Sequence, residues 1–101
     1  METVTFTEFQ QSTKKSEPPA GLAPALLALW HDARGDWETA HATAQDIPDP
    51  VGAWIHAYLH RKEGDLANAA YWYRRADQPE ARDSLDAEWG RIAQSLIPNP
   101  G

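Results

Sequence analysis

The stretch Ala53–Ala76, AWIHAYLHRKEGDLANAAYWYRRA, reads as one helical hairpin. Gly64 can take the left-handed conformation that ends a helix, and Asp65 can cap the amides that begin the next one. Before this corner, Ala53, His56, Ala57 and His60 share one stripe at helical spacing, flanked by Trp54, Tyr58 and Arg61. After it, Leu66, Ala69, Tyr73 and Ala76 form a second stripe. The small residues Ala57 and Ala69 let two helix axes approach closely, while Leu66, Tyr73, Trp54 and Tyr58 fill the remaining volume.

Working outward toward the N-terminus, the same design recurs. Leu22, Leu26, Leu29, Trp30 and Ala33 make one apolar helical face, with Pro24 in the first turn, where a missing amide costs nothing. Gly35 closes this helix and Asp36 opens the next, whose inner face is Trp37, Ala40 and Ala44, with His41 a candidate fourth member. A shift of 29 residues lays this hairpin on the second: Ala28 on Ala57, His31 on His60, Gly35-Asp36 on Gly64-Asp65, Ala40 on Ala69. An internal repeat follows, each unit a helical pair that cannot bury its face alone. Between the units, Asp49 suits an N-cap and Pro50 the first helical position.

Beyond Ala76, Gln78-Pro79 breaks the helix. Asp83 is positioned to cap a last one bearing Leu85, Trp89, Ile92, Ala93 and Leu96 on one face, as a terminal capping helix should. Residues 1–19 show no sustained helical period and end in Pro18-Pro19, so they read as a flexible tail. The sharper alternative is that Phe6 and Phe9 dock in an apolar groove, on this molecule or a neighbour. The expected architecture is all-α: about five antiparallel helices in a single domain over 20–97. Its hairpins span about 22–46 and 50–76, and its capping helix about 84–97.

Composition narrows the function. The 101 residues suffice for one domain with one modest core. A net charge of −6 and a pI of about 5.0 argue against a general basic surface for nucleic acid. With no cysteine, a disulfide framework, a thiolate nucleophile and a Cys-based zinc site are all excluded. The longest apolar run, Leu22–Trp30, is interrupted by Pro24 and far shorter than the roughly 20 residues a bilayer requires. Glu2 and Glu8 stand where a secretory signal would be basic and then apolar, so a cytoplasmic location is expected.

Gly64-Asp65-Leu66 followed by Ala69, Tyr73 and Ala76 resembles the second half of a tetratricopeptide repeat, with Ala57 matching the small residue of its first helix. The first unit departs more, with Ala44 in place of the aromatic and Ile47 in place of the final Ala. The repeat step is 29 residues rather than about 34, Trp54 falls one position late, and the closing Pro is missing. HAYLHR-x-EGD at His56–Asp65 and AAYWYRRA at Ala69–Ala76 also resemble a group of small bacterial proteins that carries no assigned activity. The resemblance implies a fold and, through the tetratricopeptide pattern, a protein- or peptide-binding module.

In such repeats the first helices line the concave face, which would place Trp54, Tyr58, Arg61 and Lys62 there. The run Tyr71-Trp72-Tyr73-Arg74-Arg75 adds Trp72 and Arg75 as candidate contacts. Guanidinium beside an aromatic suits a ligand with a carboxylate, which arginine binds bidentately. The alternative for Arg74 and Arg75 is that they complement the helix dipole and pair with neighbouring acids. Partners are therefore expected to be a protein or peptide, with no nucleic acid and no membrane.

A second class of function rests on histidine. His56 and His60 lie at i, i+4, a spacing that presents two imidazoles to one metal ion, and His31 at the equivalent place in the first unit suggests a third. The competing reading is structural: the same stripe carries Ala53 and Ala57, where a ring would satisfy a carbonyl or stack on a tryptophan. No HExxH, glycine-rich phosphate loop or nucleophile elbow is present, so no catalytic residue and no cofactor is assigned. A third alternative is a self-associating structural subunit, a homo-oligomer joined through exposed aromatics.

Overall fold

The computed structural model describes residues 4–97; residues 1–3 of the expected tail, and Pro98 and Pro100 at the other end, lie outside that range. Among the described residues there are six helices and no strand: α1 (Phe6–Ser12), α2 (Pro24–Ala33), α3 (Trp37–Gln45), α4 (Val51–Lys62), α5 (Leu66–Ala76) and α6 (Leu85–Leu96). The all-α expectation holds, with one helix more than expected. None of these helices is long and apolar enough to cross a membrane.

The two Gly-Asp corners have the same hydrogen bonding. Gly35 and Gly64 take φ of 83° and 90°, the left-handed region where a Cβ would be strained. The amide of Asp36 donates to the His31 carbonyl at 2.9 Å, and that of Asp65 to His60 at 3.0 Å. Gly35 and Gly64 donate to the carbonyls one residue further on, Asp32 and Arg61, which completes a Schellman motif in each case. Each aspartate then turns its carboxylate onto the next helix, Asp36 onto the Thr39 amide and Asp65 onto that of Asn68. Through these corners α2 packs on α3 and α4 on α5, while α3 and α6 both pack against α4.

Two expected caps move. Asp49 does not cap α4, whose N-cap is Pro50; its carboxylate instead accepts from Arg75 across the hairpin at 2.7 Å. Ser84, not Asp83, caps α6, accepting from the Ala87 amide. Asp83 is drawn away by Arg91.

The N-terminal segment follows the second of its two expected readings, with Phe6 and Phe9 docked on this molecule. In place of a flexible tail, α1 forms behind a complete capping box between Thr5 and Glu8. Its Phe9 is fully buried and stacks on Trp89, with ring centroids 5.4 Å apart and planes within 8°. Three indole N–H groups tie helices together: Trp30 to the Ser12 carbonyl, Trp37 to Leu59 and Trp89 to Leu29, at 2.9–3.0 Å. Each carbonyl accepts the proton that an enclosed indole N–H must place. Phe9, Leu29, Ile55, Leu59 and Ile92 are wholly enclosed at the centre.

Candidate functional site

Tyr58, Arg61 and Lys62, expected to meet a partner, each bond to a carboxylate of the molecule itself. Two carboxylates are involved, both buried. Asp32 accepts from the Tyr58 hydroxyl at 2.8 Å and the Lys62 ammonium at 2.9 Å. Glu88, from α6, accepts from the Tyr73 hydroxyl at 2.6 Å and the Arg61 guanidinium at 2.8 Å. Arg61 also donates to the Asp83 carbonyl. A buried carboxylate is costly unless ion-paired and hydrogen-bonded, and these donors meet that requirement. Burial first, then the adjacent carboxylate, pushes both Tyr58 and Tyr73 well above the usual phenol range.

Trp54, also expected at the surface, is half-buried between the main core and the smaller cluster of Ala57, Ala69 and Tyr73. Trp72 and Arg75 form a separate stack on α5. The Arg75 guanidinium lies 4.7 Å from the Trp72 ring centroid and 5.8 Å from that of Tyr71, and it is paired with Asp49. The six candidate binding residues thus divide among the two buried carboxylate hubs, the core and an α5 stack.

Two of them do reach an open space. A cleft of about 610 Å³ runs between α1, α2, α4 and α6, with Tyr58 and Lys62 among its lining together with Gln10, Gln11, Lys14, Asp32 and Asp86. Gln10, Gln11 and Lys14 come from the segment read as a tail, so nothing in the sequence pattern pointed to them. Among the described residues Lys14 makes no ion pair.

The histidines also regroup. His31 stands apart, edge-on to Trp30 at 5.2 Å. Its expected place beside His56 and His60 is taken by His41 of α3; one ring nitrogen from each of these three lies within 4.8 Å of the others. Repeat-equivalent residues are one repeat step apart, whereas residues that meet come from neighbouring helices, and α3 is the neighbour of α4. Trp37 stacks on His41 (4.9 Å, 8°) and Trp72 on His56 (4.2 Å, 14°). His60 donates from Nδ1 to Glu63 at 2.6 Å. Burial, reinforced by the other two imidazoles and Arg75 and opposed by Asp49, lowers His56 to about 4. His41 is lowered for the same first reason, then by His60.

Comparison of the chain with protein-family profiles, curated proteins and solved structures gave no match.

Proposed function

We propose that the protein is a peptide-binding module built of two tetratricopeptide-like hairpins, α2–α3 and α4–α5, stacked with a right-handed turn and capped by α6. The partner segment seats in the cleft bounded by α1 and α4, with a carboxylate directed at Lys14 and Lys62. The observation that carries this reading is the cleft itself: an open space lined by both Lys14, which makes no ion pair among the described residues, and Lys62, which is only partly used.

The chemistry is simple. Lys62 Nζ has three donors and gives one to Asp32, leaving donors for a ligand oxygen. Lys14 supplies a second cation, and Gln10 and Gln11 supply amide donors and acceptors that match a peptide backbone. A bound carboxylate would be held by charge-assisted hydrogen bonds, the stronger class. Asp32 keeps Lys62 in place and Tyr58 keeps Asp32 in place.

The test is a panel of short peptides with free C-terminal carboxylates, paired with the same peptides amidated and followed by tryptophan fluorescence, since Trp89 lines the cleft. Free-acid peptides should bind, with amidation and Lys14→Ala each weakening them about tenfold, the worth of one charged hydrogen bond. Equal binding of both peptide forms, indifferent to Lys14→Ala, overturns the proposal, as does no binding at all.

A further inference from the structure

We propose that His41, His56 and His60 are the protein ligands of a divalent transition-metal site of the zinc class, with one coordination position left for water or a donor atom from another molecule. This site is independent of the peptide cleft and uses none of its residues.

The first support is convergence. Two consecutive helices supply the ligands, His56 and His60 from successive turns of α4 and His41 from α3 facing them. Ring centroids are 4.8 Å apart for His41–His56, 5.4 Å for His41–His60 and 6.1 Å for His56–His60. Zinc at about 2.0–2.1 Å from each nitrogen needs those nitrogens roughly 3.3 Å apart in a tetrahedron. The nitrogens lie within 4.8 Å of one another, so ligation draws them closer by up to about 1.5 Å.

The second support is an unmet requirement. His56 is only 6% exposed, yet its Nδ1 is buried and has no hydrogen-bond partner. A histidine kept for structure has its ring nitrogens satisfied, because an orphaned polar atom in the interior is destabilising. His60 shows what a satisfied ring looks like. Its Nδ1–H is given to Glu63, which fixes the tautomer and leaves the lone pair on Nε2. A carboxylate behind a histidine is also the usual outer partner of a zinc-binding imidazole, orienting the ring and raising its basicity.

The surroundings agree. Trp37 and Trp72 lie flat against His41 and His56, holding two of the ring planes and walling the group with apolar surface. On the exposed side, Glu63 and Asp65 each place a carboxylate oxygen within 4.8 Å of a His60 ring nitrogen and give a cation an acidic approach. Three imidazoles with no oxygen donor among them select zinc, copper, nickel or cobalt over magnesium and calcium. Three protein ligands, rather than four, leave the fourth position of a tetrahedron open.

The test uses the full chain without an affinity tag. Zinc chloride is titrated by calorimetry, cobalt(II) by its visible bands, and the histidine ring resonances are followed by NMR during the zinc titration. One zinc per chain is expected, with tetrahedral cobalt bands and perturbed rings at His41, His56 and His60 but not His31. His41→Ala should weaken zinc at least about a hundredfold and Glu63→Gln about tenfold, while His31→Ala leaves affinity within about twofold. If His56→Ala fails to fold, the ring resonances of the native chain decide the question alone. The proposal is overturned if zinc does not bind, if those three rings stay unperturbed, or if His41→Ala binds as tightly as the native chain.

Discussion

The hydroxyl of Tyr58 donates to the buried carboxylate of Asp32 at 2.8 Å, joining α4 to α2. The same bond is made a second time between Tyr73 and Glu88, joining α5 to α6. Each carboxylate takes one phenol and one cation, and each loses stability if either is withdrawn. Tyr58→Phe should destabilise the fold by about 1–2 kcal/mol in urea denaturation, the cost of removing one donor from a buried acceptor. A midpoint unchanged from the native chain would show that Asp32 is not held in this way.

Arg61 carries the sharper contrast with its sequence reading. Placed on an open binding face, it could be replaced by alanine with the fold intact. Paired instead with a wholly buried Glu88, its loss leaves an uncompensated carboxylate in the core. Arg61→Ala should therefore destabilise by about 3 kcal/mol or more. Double replacement with Glu88→Leu should recover part of that loss. Urea midpoints of the three variants measure it, and a fully stable Arg61→Ala chain would contradict the internal pairing.

The two phenols also set an alkaline limit. A tyrosine raised in the folded state keeps its proton when the unfolded chain, titrating near 10.0, has released it. Above that pH the native state binds more protons than the unfolded one, so stability falls as pH rises; below it the contribution is fully present. Phenolate absorbance should show Tyr58 and Tyr73 ionising only together with loss of helical circular dichroism. Ionisation of all three tyrosines in a chain that stays fully helical would refute this.

Two glycines test the packing in opposite directions. A Cβ at Gly52 would stand 2.0 Å from the Ile47 carbonyl oxygen, whereas at Gly90 the nearest atom is the tip of Phe6 at 3.7 Å. Gly52→Ala should destabilise by about 1–3 kcal/mol or more, as overpacking against backbone does. Gly90→Ala, inside α6, should stabilise by up to about 1 kcal/mol through helix propensity. Thermal unfolding of the pair gives the signs directly.

Phe9 decides whether α1 belongs to the fold. With its ring fully enclosed against Trp89, Phe9→Ala should cost about 3–5 kcal/mol and alter tryptophan emission. A mobile tail would lose nothing.

Both Gly-Asp corners were legible because the residues that stop one helix and start the next are local in sequence and act through backbone geometry. The stripes carrying Leu29, Ala57, Ala69 and Ile92 were legible for the same reason: helical period marks a buried face over three turns. The seven residues of α1 are too few to show a period, and they are ordered by a tertiary contact, Phe9 on Trp89, that no local pattern encodes. Asp83 and Ser84 both suit an N-cap; the choice was made by Arg91, a partner eight residues away. Tyr58, Arg61 and Lys62 were read as outward-facing because repeat architecture puts them on one face. What meets them is α2 through Asp32 and α6 through Glu88, and neither carboxylate gave a sign in the sequence of being buried. His31 was grouped with His60 by repeat equivalence, while His41, a member of the α3 stripe, was the residue close enough to join His56 and His60.

The measurement that bears most directly on the proposed function is a titration of the isotopically labelled chain with a free-acid peptide and its amidated twin, read by backbone and lysine-side-chain NMR. The account predicts saturable shifts at Gln10, Gln11, Lys14 and Lys62 for the free acid, with little change for the amide. Shifts confined to the Tyr71–Trp72–Arg75 stack, or identical for the two peptides, would contradict it.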